Sequence, residues 1–372
     1  MKWNWQHTHW PKFTWDRELI TKREAEFLEQ AGFLIGASKY FGEQDRIGLT
    51  VSLMSTEALD SSGIEGEALD RDSVQSSIQK ALGLKIPKQR GAPAEMGIAE
   101  MMVDLFHSTE TPLTHKHLYS WHSMLMNGRR DIQQIGAYRI DGEPMQIISG
   151  ASYNPKVHYE APPSACVQGE MEAFISWFNK SAPDGDNPIS ALARAAITHL
   201  WFESIHPFED GNGRIGRALS EKVLAQGRKQ AVITSLAGVL LKHRKRYYHE
   251  LQQASQTLDI NTWLNWFVDR VLEAQARSQQ YIEFLLSKTH MFDRLKGQLN
   301  SRQKNALLRM YAEGIDGFKG GLSANNYMTI TKALSATTTR DLGDLVNKGA
   351  LIKKGERKST RYFLNISPPD GS

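Results

Sequence analysis

Cysteine is almost absent from this chain: Cys166 stands alone in 372 residues. A disulfide framework within the chain and a multi-cysteine zinc site are therefore excluded. Long apolar runs are missing too. No stretch approaches the roughly 20 apolar residues of a membrane span. The opening MKWNWQHTHWPKFTWD mixes aromatic with polar residues where a secretory leader would carry an apolar run. No internal repeat or low-complexity tract appears. These absences set the expectation of a cytoplasmic protein with no membrane partner.

What is present is ordinary in bulk and uneven in detail. Hydrophobic residues make up 40% and charged residues 23%, as in a globular protein of about two or three domains. The net charge of +4 hides an asymmetry: residues 288–366 hold 15 Lys and Arg against 6 Asp and Glu, a balance of +9. A separate basic module at the C-terminal side is expected. At the other end, Trp3, Trp5, Trp10 and Trp15 fall within fifteen residues. They form either an aromatic cluster capping the main body or a partner-binding surface, where aromatics dominate.

Between these ends the periodicity predicts mostly helix. ELITKREAEFLEQAGFLIG has apolar spacing near 3.6 and ends at glycines, DSVQSSIQKALG starts at an Asp or Ser and stops at Gly, and HKHLYSWHSMLMNG repeats that pattern. Residues 136–163 differ: MQIISG and KVHYEAPP are β-prone and flank the turn-rich ASYNP, which predicts an inserted hairpin. Pro188 suits a first helical position, and Ile189, Leu192, Ala193, Ala196, Ile197, Leu200 and Trp201 form one apolar stripe. That helix delivers His206, and Pro207 stops it. Two further helices follow, with KHRKR as a solvated face. After about residue 300, three short helices and a hairpin with a charged turn read as a winged-helix unit.

The densest chemistry is HPFEDGNGRIGR, His206 to Arg217. An imidazole held at a helix end, with a pKa near neutrality, suits a general base acting on a hydroxyl. Gly211, Asn212 and Gly213 at a helix start can turn backbone N–H groups inward as an anion nest, aided by the helix dipole. Arg214 and Arg217 share a helical face, where two cations near the positive end of the dipole call for an anion between them. Asp210 can hold Mg²⁺ with hard oxygen ligands. Phe208 is expected to anchor the loop, and Glu209 to face solvent. Together they suggest phosphate handling beside a proton acceptor.

The stretch resembles the signature of the Fic family, H-x-F-x-[D/E]-G-N-G-R-x-x-R, with every position filled. GAYR at residues 136–139, YEAPP and RYYHEL also look like landmarks of that family, and the resemblance covers residues 40 to 285. It implies a mainly α fold: a Fic-type helical bundle with an inserted β-hairpin flap, here followed by the winged-helix domain. It implies adenylyl transfer from ATP with Mg²⁺ to a Ser, Thr or Tyr hydroxyl of a target protein. In that scheme His206 takes the hydroxyl proton and Asp210 binds Mg²⁺. The amides of Gly211, Asn212 and Gly213 hold phosphate oxygens, with the Asn212 side chain helping. Arg214 serves the β-phosphate and Arg217 the γ-phosphate. Tyr248 and Ser255 match positions that approach the adenine, although an asparagine is common at the second. The hairpin becomes a flap that aligns the target by strand addition.

Upstream, SSGIEGEAL resembles the family's inhibitory motif, [S/T]-x-x-x-E-[G/N], through Ser61, Glu65 and Gly66. A carboxylate from Glu65 on Arg217 would occupy the cation that the γ-phosphate requires. Removal of AMP at the same site, with Glu65 orienting water, is a further implication, and the resemblance leaves room for a homodimer. The expected divisions are a Trp-rich extension at 1–40, a helical region with the inhibitory motif at 41–110, the Fic core at 111–287 and the winged-helix domain at 288–372. Two alternatives stay open. Phosphate or another nucleotide replaces AMP as the transferred group, or a nucleotide-sensing core serves a DNA-binding transcriptional regulator, with the basic tail on DNA rather than docking protein.

Overall fold

The computed structural model describes residues 2–38, 41–85, 91–140, 142, 144–149, 156–228, 234–314, 317–318 and 320–366. In chain order the helices are α1 (Glu18–Ser38), α2 (Glu43–Ile64), α3 (Arg71–Ala81), α4 (Pro93–His107), α5 (His115–Leu125), α6 (Ser164–Lys180) and α7 (Ala191–Ile205). They continue as α8 (Asn212–Arg228), α9 (Leu236–Lys242), α10 (Arg244–Ala254), α11 (Asn261–Arg294), α12 (Ser301–Ala312), α13 (Ala324–Thr331) and α14 (Ser335–Asn347). Two hairpins complete the set: β1 (Gln146–Ser149) with β2 (Lys156–Glu160), and β3 (Leu351–Lys354) with β4 (Arg361–Leu364). The mainly helical expectation holds. The chain divides into two compact units, Met1–Ile35 with Gly42–Ala276, and Gly36–Phe41 with Arg277–Ser372. No helix among the described residues is long and apolar enough to cross a membrane.

In the first unit α7 is the axis, packed against α8. All of its residues are buried, polar ones included, so it is more than the one-sided stripe expected. Two of its large polar side chains find partners inside. Arg194 donates to Ser181 Oγ at 3.0 Å, Gln226 Oε1 at 2.7 Å and the Phe178 carbonyl at 2.7 Å, and His199 Nε2 lies 2.8 Å from Tyr247 Oη. Such pairing makes burial of polar groups tolerable. Pro188 is not its first residue. The helix starts at Ala191, and Glu24 of α1 caps it by accepting from the amides of Ala191 (2.8 Å) and Leu192 (3.1 Å). A cap supplied from another helix leaves no local sequence signal. Local caps hold elsewhere: Asp70 accepts from Ser73 N at 2.9 Å, and Thr114 accepts from His117 N at 3.2 Å.

β1 and β2 pair antiparallel, with Ile147 opposite Tyr159 and a register shift between Ile147 and Ile148. The expected ASYNP turn, 151–155, lies outside the described residues. The KHRKR run is broken at His243, between α9 and α10. The four N-terminal tryptophans are buried or half-buried. Trp3 packs edge-on against Tyr159 with centroids 5.2 Å apart, and Trp10 meets Trp201 at 6.2 Å. The capping reading fits these contacts.

The second unit takes the later part of α11, then α12, α13, α14 and the β3–β4 hairpin, the order of elements expected from the sequence. Its core gathers Phe284, Leu295, Leu307, Met310, Tyr327, Leu342 and Leu345. Asp341 ties three segments together, accepting from Arg302 Nε (2.8 Å), Asn300 Nδ2 (3.2 Å) and Tyr327 Oη (3.1 Å).

Candidate active site

A cavity of about 690 Å³ is lined by residues that include Glu65, Tyr159, His206, Asp210, Gly213, Tyr248 and Ser255. The junction of α7 and α8 builds its centre. His206 ends α7 in the left-handed region, at φ 49° and ψ 59°. A non-glycine residue there is held by its surroundings. Arg139, of the GAYR segment, supplies the hold: its Nε donates to the His206 carbonyl at 2.8 Å and its Nη2 to the Pro162 carbonyl at 2.5 Å. Phe208 is fully buried and its ring stacks on His122, with centroids 4.2 Å apart.

Asn212 does something other than expected. Its side chain turns back onto the loop, where Oδ1 accepts from Phe208 N at 3.0 Å and Nδ2 donates to the Phe208 carbonyl at 2.8 Å. It therefore staples the turn, a role not read from the sequence. Glu209 is half-buried, and its carboxylate accepts from the amides of Gln133 (2.9 Å) and Gln134 (2.8 Å). Gly211 needs its freedom, at φ +82°. At Gly213 a Cβ would fall 2.3 Å from Glu65 Oε1, so only glycine admits that carboxylate.

The anions that the two arginines call for come from the chain itself. Arg217 is buried, and its Nη2 donates to Glu65 Oε1 at 2.7 Å and to the Ser61 carbonyl at 2.9 Å, while its Nε donates to Ser61 Oγ at 2.8 Å. Gly66 follows in a left-handed turn at φ +87°. Arg214 donates to Glu67 Oε2 at 2.8 Å and to Asp210 Oδ1 at 3.1 Å. Sequence reasoning missed Glu67, although the spacing of two acids in EGE across from two arginines was a signal. It also missed Arg129, whose Nη1 donates to Asp210 Oδ2 at 2.7 Å. Tyr248 Oη donates to the Ile64 carbonyl at 3.3 Å, and Ser255 Oγ donates to the Gln252 carbonyl at 2.8 Å. Arg244 and Lys245, read only as a solvated face, line the cavity.

Burial drives the His206 pKa down to about 4, helped by Arg139 and opposed by the Glu203 carbonyl, Glu65 and Asp210. This lies below the near-neutral value expected from the sequence, and it leaves the imidazole neutral at pH 7. Burial opposes ionisation of Asp210, yet Arg214 and Arg129 outweigh it and hold the pKa below the ordinary carboxylate value. Among the described residues no group of three or more His, Cys, Asp or Glu side chains forms a metal cage. Asp210 fits the other mode, in which one or two carboxylates hold Mg²⁺ together with substrate phosphates.

Glu203 was not anticipated. It is buried, lines the cavity and sits 3.9 Å from His206 Nδ1. Burial raises its pKa to about 8, with Glu65 adding and Arg217 opposing. The folded state thus keeps a proton that the unfolded chain releases near the ordinary value of 4.5. Stability contributed by this group falls as pH rises from that value and levels off above the folded pKa. Glu203→Gln stays neutral throughout, so it is expected to stabilise the protein little near pH 5 and by about 2–4 kcal/mol near pH 8, at roughly 1.4 kcal/mol per unit. Thermal melts across that range check it, and a pH-independent difference would contradict it.

Residues 112–224 match the model of the Fic/DOC family, a shorter span than the 40–285 expected. Residues 3–84 match a domain of unknown function, DUF4172. A probable protein adenylyltransferase of Aquifex aeolicus is 29% identical over 110 residues, 30% of this chain and 29% of that one. The protein adenylyltransferase Fic of Drosophila sechellia is 27% identical over 154 residues, 39% of this chain and 30% of that one. The chain thus spans under a third of the length of the curated relatives it matches. A Fic family protein from Desulfovibrio desulfuricans G20 has a similar fold, with a TM-score of 0.55 at 20% identity over 96% of this chain and 98% of that one. A Fic domain containing signaling protein from Bacteroides thetaiotaomicron scores 0.51 at 16% identity, over 70% of this chain and 97% of that one. With the complete signature at the junction of α7 and α8, these matches show that residues 112–224 form a Fic/DOC domain.

Proposed function

We propose that this protein transfers AMP from ATP to a Ser, Thr or Tyr hydroxyl of a target protein or of itself, and that Glu65 restrains it. The observation that carries the reading is the grouping of His206, Asp210 and the Gly211–Gly213 turn along one cavity, with Arg214 bonded to Asp210 and Arg217 bonded to Glu65, which also lines it. His206 accepts the proton as the hydroxyl oxygen bonds to the α-phosphorus. The bond from that phosphorus to the bridging oxygen breaks, and pyrophosphate leaves. Arg214 and Arg217 bind the β- and γ-phosphates as forked donors. Asp210 would hold Mg²⁺, which would supply neutralisation of phosphate charge. Tyr248 and Ser255 border the base, and the exposed Ile147, Ile148 and Val157 of the flap face the target backbone.

Ser61, Glu65 and Gly66 act as the inhibitory segment. The Glu65 carboxylate takes the Arg217 donor that a γ-phosphate needs, and the same carboxylate orients water when AMP is removed from a modified target. Incubation with labelled ATP and Mg²⁺, followed by mass spectrometry of the protein, tests the reading. A mass increase of one AMP on a hydroxyl side chain supports it. A phosphate adduct points to phosphoryl transfer instead, and no adduct in the Glu65→Gly variant sinks it.

A second reading concerns the C-terminal unit, as a winged helix on DNA in a nucleotide-sensing regulator. One observation favours it. From Ser323 to Arg340 there is no acidic residue, and Asn325, Asn326, Thr329, Lys332, Ser335, Thr339 and Arg340 are exposed there. The β3–β4 hairpin adds Lys353, Lys354 and Arg357. Such a surface suits a phosphate backbone. Duplex DNA should then shift with the full-length protein at low salt, with affinity falling steeply as salt rises. Absence of a shift, or binding indifferent to salt, would leave a protein-docking or dimerisation role.

A further inference from the structure

The Trp3–Trp5 turn reaches three different elements of the cavity wall. The Trp3 ring packs edge-on against Tyr159 of β2, 5.2 Å between centroids. Asn4 N donates to the Ser255 carbonyl at the end of α10, at 2.7 Å. Asn4 Nδ2 donates to Ser204 Oγ of α7, at 2.8 Å. Tyr159, Ser204 and Ser255 all line the cavity. Trp5 adds a fourth tie, its Nε1 donating to the Glu160 carbonyl at 2.7 Å.

The turn is built for this. Asn4 is wholly buried, and its Oδ1 accepts from Trp5 N at 2.8 Å. Every polar atom of its side chain is thus engaged, so its burial costs little. The wall it holds is cross-braced by Tyr159 Oη donating to the Ser204 carbonyl at 2.5 Å and by Gln252 Nε2 donating to the His158 carbonyl at 3.3 Å. Without the turn, Tyr159 loses the ring behind it and the Ser255 carbonyl loses its donor. The three wall elements would then be joined only by their own bonds.

We propose that residues 3–5 are a positioning element for the base of the bound nucleotide, fixing the Tyr159–Ser204–Ser255 wall against which that base packs. The proposal rests on the nucleotide reading above. It gives the stretch matching the domain of unknown function, residues 3–84, two separate approaches to one ligand. Trp3 and Asn4 set the wall at the base, and Glu65 meets the arginine of the γ-phosphate. Neither Trp3 nor Asn4 lines the cavity, so both act through the side chains and carbonyls they hold.

The test compares a ligand with a base to one without. Calorimetric titration of the full-length Glu65→Gly protein with ATP and with tripolyphosphate gives the reference. In that background Trp3→Ala and Asn4→Ala are expected to weaken ATP by about tenfold, as misplacement of a supporting shell does, and tripolyphosphate by less than about twofold. Trp3→Phe keeps a ring on Tyr159 and should restore ATP binding. Circular dichroism melts confirm folding, and if Trp3→Ala does not fold, Asn4→Ala and Trp3→Phe carry the comparison. Equal weakening of both ligands, or unchanged ATP affinity in folded variants, overturns the positioning role while leaving the nucleotide reading intact. Failure of the reference protein to bind either ligand overturns the nucleotide reading, and the proposal with it.

Discussion

Replacing His206 with alanine is expected to lower AMP transfer by about 10²-fold or more, the scale of a positioned general base. The imidazole is the base best placed at the cavity. Burial and Arg139 keep it neutral at pH 7, and the Arg139 bond to its carbonyl fixes the backbone that aims it. ATP binding should survive, because Arg214, Arg217 and the Gly211–Gly213 amides are untouched. The measurement is the initial rate of label transfer in the Glu65→Gly background, with ATP affinity measured in parallel. Near-normal transfer with intact binding would remove His206 from the base role.

Replacing Glu65 with glycine is expected to raise self-modification about tenfold or more. The bond lost is a charge-assisted one, worth roughly 1.5–3 kcal/mol, and about 1.4 kcal/mol is tenfold in an equilibrium. Arg217 keeps its bonds to Ser61 Oγ and the Ser61 carbonyl, so the guanidinium stays aimed while its carboxylate partner disappears. Glu67 still pairs with Arg214, so release is incomplete in this variant. Arg217→Ala should not mimic it, because the γ-phosphate contact goes with the inhibitory pair, and the double variant should behave like Arg217→Ala. A folded, ATP-binding Glu65→Gly protein no faster than wild type would reduce Glu65 to a helix-end residue.

The centre of the site was legible because its parts are adjacent in the chain. A histidine, a Gly-Asn-Gly turn and two arginines within twelve residues carry their meaning in their spacing. The helix α3 was legible in DSVQSSIQKALG, but its cap lies two residues before the Asp72 that opens that stretch, at Asp70. The Glu65–Arg217 pair spans 152 positions, and only the family resemblance connected its two halves.

What stayed hidden was supplied from a distance. Nothing near Pro188 says that Glu24 will cap α7 and displace its start to Ala191. Nothing near Asp210 says that Arg129 will share it. The partners of Asn212 and Glu209 were not legible because side-chain direction depends on the fold: one polar group turned inward to hold a loop, the other met two amides from residues 133 and 134. The N-terminal tryptophans announced a cluster but not which wall it would brace.

The Asn212 staple has a consequence for how the protein ages. Asparagine followed by glycine is the sequence most open to deamidation, in which the next amide nitrogen attacks the side-chain carboxamide and a succinimide forms. Asn212–Gly213 is such a pair at the heart of the site. Here the carboxamide is buried, with oxygen and nitrogen both bound to Phe208, and the chain is already coiled into the first turn of α8, which holds the attacking nitrogen away. Asn127–Gly128, exposed in the turn after α5, has no such shelter. The fold therefore shelters the Asn–Gly pair inside the signature and turns the chemical wear toward the pair that stands open after α5.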